Sequence, residues 1–229
     1  MYFRHADAIW RDFPELVPGV LFADGIESGV DRPDVARFAA IAQARLAAST
    51  EAGLPEIRAW RRAFSSMGLE PTRYRSASES LLRRFRKEGS LPEIHPLVDL
   101  CNAVSLAFAI PIAAFDVAQI SEHLEVRYAT GTETYVTFSG EVETPAEREV
   151  VFADALERVH ARRWVNRQSG LSAVRPATRS VLLVAEALHE SARTDVETLL
   201  ATLAAEVSAT WSVRPSSAIL RQASPRFDF

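Results

Sequence analysis

The sequence has 229 residues, of which 48% are hydrophobic and 24% charged, and its formal net charge is −4. A chain of this length buries roughly 70% of its unfolded surface, so it needs no covalent staples. Its single cysteine excludes a disulfide framework. Residues 1–10 carry charges and no long apolar run, and the most apolar stretch, 97–117, is interrupted by polar residues, which argues against a signal peptide and a membrane span. We therefore expect a soluble, cytoplasmic protein.

The first half of the sequence predicts mostly helices, because its apolar residues recur at helical spacing. Pro55 marks one helix start, and Ser76 followed by Glu79 has the spacing of a capping box. In chain order, the predicted elements are a helix over 7–16, a strand over 20–26, and helices over 32–49, 55–66, 76–87 and 95–109.

The second half predicts mostly strands, because it alternates polar with β-branched and aromatic residues. The predicted strands cover 124–129, 134–138, 149–153, 158–165 and 180–187. An amphipathic helix over 194–209 follows them, and 211–229 is predicted to be a tail that packs on the body or on a second copy. Helices gathered in one half and strands in the other favour the α+β class over a regularly alternating fold.

Charge is unevenly distributed along the chain. Residues 58–87 hold nine basic and two acidic residues, and 158–179 hold six arginines and no acidic residue. Between them, 88–157 hold thirteen acidic residues against two arginines. The two basic blocks either form a patch for a polyanion or lie on solvated faces paired with the acidic segment, and segment charge alone does not decide between these readings.

The predicted helix over 95–109 combines an apolar stripe with polar positions. Asp99 and Asn102 lie three residues apart on one face, and Ser105 lies one step further round. Unpaired buried polar groups cost about 1–3 kcal/mol each, so these side chains need partners. They form either a structural network or the wall of a pocket, where Asn102 and Ser105 offer donors and acceptors to a small polar ligand.

A second candidate site is the segment 162–168, which alternates arginines with an aromatic residue and two amides. If this segment were a continuous strand, alternate side chains would share a face. One face would hold Arg163, Val165 and Arg167, and the other Arg162, Trp164 and Asn166. Such a strand suits a phosphate, a stacked base or a carboxylate, and an exposed cross-strand ladder is the alternative.

The sequence lacks the common catalytic and metal-binding motifs. There is no phosphate-binding glycine loop, no G-x-S-x-G elbow and no H-E-x-x-H. The five histidines share no metal-ligand spacing, so no metal site is predicted. Cys101 lies between apolar neighbours and is expected to be a small core residue rather than a nucleophile.

An ordered set of segments within 58–190 resembles a known family. The run HPLVDLCNAVSLAFAIPIAAFDVAQI, then LEVRYATGTETYVTFSG and EVVFAD, is similar to the B3/B4 editing domain of the phenylalanyl-tRNA synthetase β subunit. FSSMGLEPTRYRSASESLLRRF and ARRWVNRQSG resemble its freestanding relatives. The resemblance implies a mixed β-sheet core packed with helices. We expect a single B3/B4-like domain over 1–210 with an N-terminal α/β extension, and a C-terminal tail over 211–229.

The resemblance also implies hydrolysis of wrong amino acids from tRNA. In the synthetase, the pocket uses residues at the places of Cys101 and Asn102, a histidine at the place of Ala113, and a glutamate aligned with Val184. This sequence keeps the asparagine and replaces the histidine and the glutamate. Freestanding relatives are thought to clear other mischarged tRNAs, including those bearing arginine-like amino acids. A countercharge for such a group would come from Asp99, Glu133 or Glu186.

An aminoacyl ester is already activated, so a site can hydrolyse it by orienting water, without a covalent nucleophile, metal or cofactor. On this resemblance, Asn102 and Ser105 orient water or the ester carbonyl, and Glu133 acts as base or binds the amino group. The substrate-binding residues are expected to be Asp99, Cys101, Ala113, Arg163, Trp164, Arg167 and Gln168. The residues expected to bind tRNA are Arg61, Arg62, Arg83, Arg84 and Arg162.

The leading hypothesis is a trans-acting aminoacyl-tRNA deacylase, a carboxylic ester hydrolase whose partner is mischarged tRNA and neither DNA nor a membrane. One alternative is a tRNA-binding or RNA-binding module that has lost the editing chemistry. Another is a protein that binds a small molecule such as an amino acid. The amino acid, the tRNA and the choice between monomer and homodimer stay open.

Overall fold

The computed structural model describes residues 1–229, which form two β-sheets and six α-helices. The helices are α1 (Asp7–Asp12), α2 (Ala36–Ala48), α3 (Pro55–Ser66), α4 (Ala77–Glu88), α5 (Pro96–Phe108) and α6 (Ala192–Trp211). The first six strands are β1 (Tyr2–His5), β2 (Val17–Asp24), β3 (Ile112–Asp116), β4 (His123–Tyr128), β5 (Thr134–Val136) and β6 (Val142–Glu143). The other six are β7 (Val150–Asp154), β8 (Arg158–Arg162), β9 (Arg167–Gln168), β10 (Ser180–Ala187), β11 (Ser216–Ile219) and β12 (Arg226–Asp228).

The larger sheet has eight strands in the order β12-β1-β4-β7-β8-β5-β6, with β9 paired to β8. It is mixed, because β1 pairs with β4 and β5 with β8 in parallel, while its other pairs are antiparallel. The smaller sheet is antiparallel, in the order β11-β2-β10-β3. The predicted α+β class, with a mixed sheet packed against helices, is confirmed.

The smaller sheet lies between helices α5 and α6 on one side and the larger sheet on the other, and strand β10 shows this arrangement most clearly. Its residues Val181 and Leu183 belong to the core formed with α5 and α6. The alternate residues Leu182 and Val184 belong to the core shared with the larger sheet. Glu186 follows Val184 by two positions and therefore lies on the face that points toward the larger sheet.

Several predicted elements agree with the structure in detail. The helix over 55–66 and the strand over 180–187 have the predicted bounds. The backbone N–H of Glu79 donates to Ser76 Oγ at 3.2 Å, which confirms the N-cap of α4. The helix predicted over 7–16 is shorter and ends at Asp12. None of the six helices combines the length and apolar composition needed to cross a bilayer.

Strands at the two chain ends were not predicted. Residues 2–5 form β1, which lies between β12 and β4 in the larger sheet. Within 211–229, β11 pairs with β2 and β12 with β1, so this segment adds an edge strand to each sheet of its own chain. Both edge strands are short, which limits pairing with other chains.

Candidate functional site

Helix α5 places Asn102 at a boundary between core and cavity. Pro96 occupies the first turn, and His95 Nδ1 accepts a hydrogen bond from the backbone N–H of Leu97 at 3.2 Å, so the helix start is fixed. The apolar side of the helix, which includes Leu100 and Val104, packs into the core. Asn102 is only partly buried, and no other residue forms a hydrogen bond with its carboxamide. Its amide is therefore available to a ligand.

A cavity of about 150 Å3, here named the Asn102 cavity, opens beside this amide. Its walls come from α5, β3, β9 and three connecting segments, and include Ile94, Cys101, Asn102, Ile112, Phe138 and Gln168. Gln168 Nε2 donates to the carbonyl oxygen of Ala114 at 2.6 Å, which fixes the Gln168 side chain. The carboxamide keeps one N–H and its carbonyl oxygen for other partners. Two amide side chains thus line one cavity.

A second cavity of about 50 Å3, here named the Glu186 cavity, adjoins the first, because Ile112 and Gln168 line both. It has room for one or two water molecules, each of which occupies about 30 Å3 in the liquid. Its lining also includes Ala113 and Val184, which are register partners across β3 and β10. The structure therefore brings together the two positions that the resemblance aligns with a histidine and a glutamate.

Glu186 is the buried carboxylate in the lining of the second cavity. It is 1% exposed, and each of its carboxylate oxygens accepts from the indole N–H of Trp164 at 3.0 Å. His5 Nε2 lies 2.6 Å from the same carboxylate, and the indole N–H of Trp60 donates to the Glu186 carbonyl oxygen at 3.2 Å. These partners hold the carboxylate in one orientation. A buried carboxylate that lines a cavity is a candidate partner for a cationic group.

The predicted continuous strand over 158–165, and with it the alternating faces of 162–168, is wrong. Strand β8 ends at Arg162, and Arg163 and Trp164 have φ values of 47° and 59°. These left-handed residues turn the chain, and β9 pairs back on β8 in antiparallel fashion. Side chains in a tight hairpin do not follow the alternation of a single strand, so the arginines do not form one ribbon.

The hairpin therefore divides the expected substrate-binding residues between different surroundings. Trp164 is fully buried, with Trp60 and Phe13 in edge contact with its ring, and reaches the Glu186 cavity from inside. Arg163 stacks over Tyr74 instead of facing a ligand. Arg167 lines the Glu186 cavity and pairs with Glu143. Of this segment, only Gln168 reaches the Asn102 cavity.

Ser105 and Glu133 do not have the placement expected of catalytic groups. Ser105 is 1% exposed, and its Oγ donates to the carbonyl oxygen of Ile110 at 2.6 Å, which ties the end of α5 to β3. Glu133 is fully buried, accepts the backbone N–H groups of Thr130 and Gly131, and pairs with Arg127. Neither side chain lines the Asn102 or the Glu186 cavity. Both residues hold loops.

The surroundings of Glu133 keep it ionised. Burial acts to raise its pKa, but the N–H of Thr130 and the guanidinium of Arg127 outweigh burial and lower the pKa to about 2. A carboxylate with so low a pKa is a poor base near neutral pH. The expectation that Glu133 acts as base or binds the substrate's amino group is therefore wrong, because its side chain lines neither cavity and its carboxylate is a weak base.

The low pKa of Glu133 gives a stability prediction. Its folded-state pKa of about 2 is below the ordinary 4.5, so its contribution is complete above about pH 5 and is lost as pH falls toward 2. Between pH 6 and pH 3, protonation of this carboxylate should lower the free energy of unfolding by about 2 kcal/mol, since one pKa unit corresponds to 1.36 kcal/mol. We expect Glu133→Gln to remove this part of the pH dependence. Urea titrations at both pH values measure it, with the exposed Glu197→Gln as control. Equal pH dependence in wild type and Glu133→Gln would contradict the assignment.

Asp99 and Cys101 also lie beside Asn102. Asp99 pairs with Arg32 and accepts the backbone N–H of Ile94 at 2.8 Å, so its carboxylate fixes the loop before α5. It lines a separate cavity of about 220 Å3 between α2, α4 and α5, which Asn102 also touches. Burial raises the pKa of the Cys101 thiol to about 12, so the residue is an apolar wall of the Asn102 cavity.

Most of the arginines expected to bind tRNA form ion pairs within the chain. Arg61 forms a two-pronged pair with Glu79, and Arg83 pairs with Glu51. The remaining pairs are Arg84 with Glu88, and Arg162 with Glu143 and Glu149. Arg62 is exposed and has no carboxylate partner. Eight of the fifteen basic residues in the two blocks form such pairs, so the blocks are only partly neutralised. Two of the acidic partners, Glu51 and Glu88, lie just outside the first block.

Two further polar clusters lie outside the cavities. Ser172, His160 and Asp154 form a chain, with Ser172 Oγ 2.8 Å from His160 Nδ1 and Asp154 Oδ2 3.3 Å from His160 Nε2, but all three are buried. The ligand atoms of Glu56, His189 and Asp195 lie within 4.8 Å of one another, the spacing needed to hold a metal ion. Arg45 already supplies positive charge to Glu56 there at 2.6 Å. We assign both clusters to packing between elements.

The chain belongs to the B3/4 domain family, whose model matches residues 59–207, well over half of its length. The resemblance seen in the sequence is therefore confirmed.

Curated relatives of this chain are much longer proteins. The phenylalanine–tRNA ligase β subunit of Coxiella burnetii is 40% identical over 75 residues, which are 32% of this chain and 9% of that subunit. The corresponding subunit of Shewanella oneidensis is 32% identical over 101 residues, 44% of this chain and 12% of that subunit. The chain thus matches only about a tenth of the length of these relatives.

Among solved structures, an N-terminal fragment of the phenylalanyl-tRNA synthetase β subunit from Pyrococcus horikoshii is similar to this chain. The TM-score is 0.48 and the sequence identity is 10%, over 95% of this chain and 53% of that one.

Proposed function

We propose that this protein hydrolyses the ester bond of a mischarged aminoacyl-tRNA, acting in trans. The observation that carries the proposal is the pair of adjoining cavities that share Gln168, with the free amide of Asn102 in one and the carboxylate of Glu186 in the other. The names of the curated relatives, which are phenylalanine–tRNA ligase subunits, support the proposed substrate class, an amino acid esterified to tRNA.

Ester hydrolysis needs less machinery than amide hydrolysis, because the leaving ribose oxygen makes the carbonyl reactive. The site must hold a water molecule in line with that carbonyl and stabilise the developing oxyanion. The carboxamides of Asn102 and Gln168 offer N–H donors to the oxyanion and a carbonyl oxygen to the attacking water. No covalent nucleophile is required, which is consistent with a Cys101 thiol that stays protonated.

Glu186 suits the α-ammonium group that every aminoacyl ester carries. In a cavity from which most water is excluded, a charge-assisted hydrogen bond to a carboxylate is about twice as strong as a neutral one. Trp164 and His5 hold the carboxylate in place, so little orientation is lost when a cation arrives. In this proposal, Glu186 takes the role that the sequence reasoning assigned to Glu133.

The phosphates of tRNA need positive charge that is not already paired. Arg58, Arg62 and Lys87 are exposed and have no carboxylate partner, unlike Arg61 and Arg83. In this proposal, the unpaired residues contact the tRNA backbone, and binding weakens as salt increases.

A second candidate is a tRNA-binding module without hydrolytic activity. The observation that favours it is the alanine at position 113, where the synthetase pocket has a histidine, because Ala113 contributes no polar atom to the Glu186 cavity. The same experiment decides between the two candidates.

The test is a release assay. The purified chain is incubated with a panel of tRNAs whose amino acids are radiolabelled, covering cognate and mismatched pairs, and the tRNA-bound label is followed over time. The proposal expects at least one mismatched pair to lose its amino acid well above the buffer rate while the matching cognate pair is spared. Release from none of them, together with salt-sensitive tRNA binding, would establish the second candidate instead.

A further inference from the structure

The turn at residues 137–140 presents an aromatic side chain at the mouth of the Asn102 cavity. Phe138 is 72% exposed, although a phenylalanine gains stability by burial. Ile94, which enters from the loop before α5, is 62% exposed and lines the same cavity. Two exposed apolar side chains from separate elements thus flank one opening.

The turn that carries Phe138 is held firmly. Thr137 Oγ1 accepts the backbone N–H of Glu141 at 3.0 Å, and Gly140 N–H donates to the carbonyl oxygen of Thr137 at 3.1 Å, with Gly140 at a φ of 89°. On the other side, a Cβ at Gly170 would lie 2.7 Å from the Thr137 carbonyl oxygen and 3.1 Å from Phe138 Cα. The glycine permits this close backbone contact. The aromatic side chain is therefore presented on a fixed backbone.

An unpaired positive charge lies next to the same turn. Arg175 donates from its guanidinium to the carbonyl oxygen of Gly170 at 3.0 Å, which places it beside the backbone that supports Phe138. Arg175 is exposed and, unlike Arg162 and Arg167, pairs with no carboxylate. An exposed aromatic ring at the cavity mouth and, beside its turn, a guanidinium that pairs with no carboxylate match the two parts of a nucleotide, its base and its phosphate.

We propose that Phe138 and Arg175 form a binding site for the unpaired 3′-terminal nucleotide of tRNA. The terminal adenine stacks on Phe138, the phosphate on its 5′ side contacts Arg175, and the ribose then lies at the entrance to the Asn102 cavity. This inference rests on the proposed function, since it fixes how the esterified ribose reaches Asn102. Stacking of one base on an aromatic side chain contributes about 1–3 kcal/mol.

The experiment measures binding of uncharged tRNA, with and without its terminal adenosine, to wild type and to three variants. We expect Phe138→Ala to weaken binding of intact tRNA about tenfold, and Phe138→Trp to restore it. Removing the terminal adenosine from the tRNA should weaken binding to wild type by a similar factor. It should not change the affinity of Phe138→Ala, which has already lost the stacking contact. Leu156→Ala, at another exposed apolar position, is the matched control and binds like wild type.

Arg175→Ala supplies an independent readout. We expect it to weaken binding and to reduce the slope of log affinity against log salt by about one unit, as loss of one phosphate contact does. Thermal melts of all variants confirm folding. If Phe138→Ala binds intact tRNA as tightly as wild type, or if removal of the adenosine weakens both proteins equally, the nucleotide site is overturned.

The same variants separate this inference from the proposed function. Adenosine-dependent binding without ester release would retain the nucleotide site and refute the deacylase. Ester release with an unchanged kcat/KM in Phe138→Ala would retain the deacylase and refute the nucleotide site. A wild-type protein that binds no tRNA even at low salt would refute both.

Discussion

Replacement of Trp164 by alanine is expected to lower the free energy of unfolding by about 3–5 kcal/mol, the range measured for large aromatic residues in protein cores. Its ring is fully buried against Phe13 and Trp60, and its indole N–H is bonded to Glu186. Truncation therefore creates a cavity and also removes a donor from a buried carboxylate. Each kcal/mol lowers the Tm of a chain this size by about 2–4 °C, so we expect a decrease of about 10 °C.

Two further variants test the cause of this decrease. Trp164→Phe keeps one aromatic ring in the core but loses the indole N–H and part of the ring volume, so its stability should lie between those of wild type and Trp164→Ala. Phe138→Ala removes an aromatic ring that is 72% exposed and should change stability by less than about 0.5 kcal/mol. Differential scanning calorimetry measures all three. A Tm for Trp164→Ala within 2 °C of wild type would mean that the tryptophan is not buried as described.

Replacement of Asn102 by alanine is expected to reduce kcat/KM for the ester substrate about 10²–10³-fold, the usual effect of removing one oxyanion donor. The carboxamide forms no hydrogen bond within the chain, and the residue is only half-buried. Its loss should therefore leave the melting temperature close to that of wild type. Substitution of Asn102 should thus reduce activity without reducing stability, whereas substitution of a purely structural residue would reduce both.

Matched variants sharpen the Asn102 test. Asn102→Asp preserves the shape of the side chain and removes its N–H donors, so it should be as defective as Asn102→Ala. Gln43→Ala removes an exposed carboxamide from helix α2 and should keep full activity. Initial rates of ester release under single-turnover conditions measure the chemical step. An Asn102→Ala variant that releases amino acid at the wild-type rate would exclude the amide from the reaction.

The sequence predicts those helices and strands that are determined by residues close together in the chain. Pro55 starts α3, and Ser76 with Glu79 starts α4, because both signals act within one helical turn. The apolar, β-branched segment 180–187 is a strand in the middle of its sheet. Asn102 can be identified for a similar reason, since a polar residue within an apolar helix requires a partner or a cavity.

Features that depend on distant residues could not be predicted in this way. Strands β1 and β12 are short, and their pairing joins the two ends of the chain. The turn at Arg163 and Trp164 requires left-handed backbone at two residues that are not glycine, for which the sequence holds no signal.

Glu186 could be predicted only in part from the sequence. A charge within an apolar strand is anomalous in the sequence. Its partners His5 and Trp164, however, lie 181 and 22 residues away.

The central claim is that an aminoacyl ester lies against Asn102 and Gln168 in the adjoining cavities. The chain has only two asparagines and four glutamines, so its side-chain amide NMR spectrum is simple enough to assign completely. Titration with a 3′-aminoacylamino-adenosine, which has an amide in place of the ester and resists hydrolysis, should shift the Asn102 and Gln168 signals. The signals of Gln43, Gln119 and Gln222 should stay in place. If the analogue binds and the Asn102 and Gln168 signals do not move, the aminoacyl group lies elsewhere and the account is contradicted.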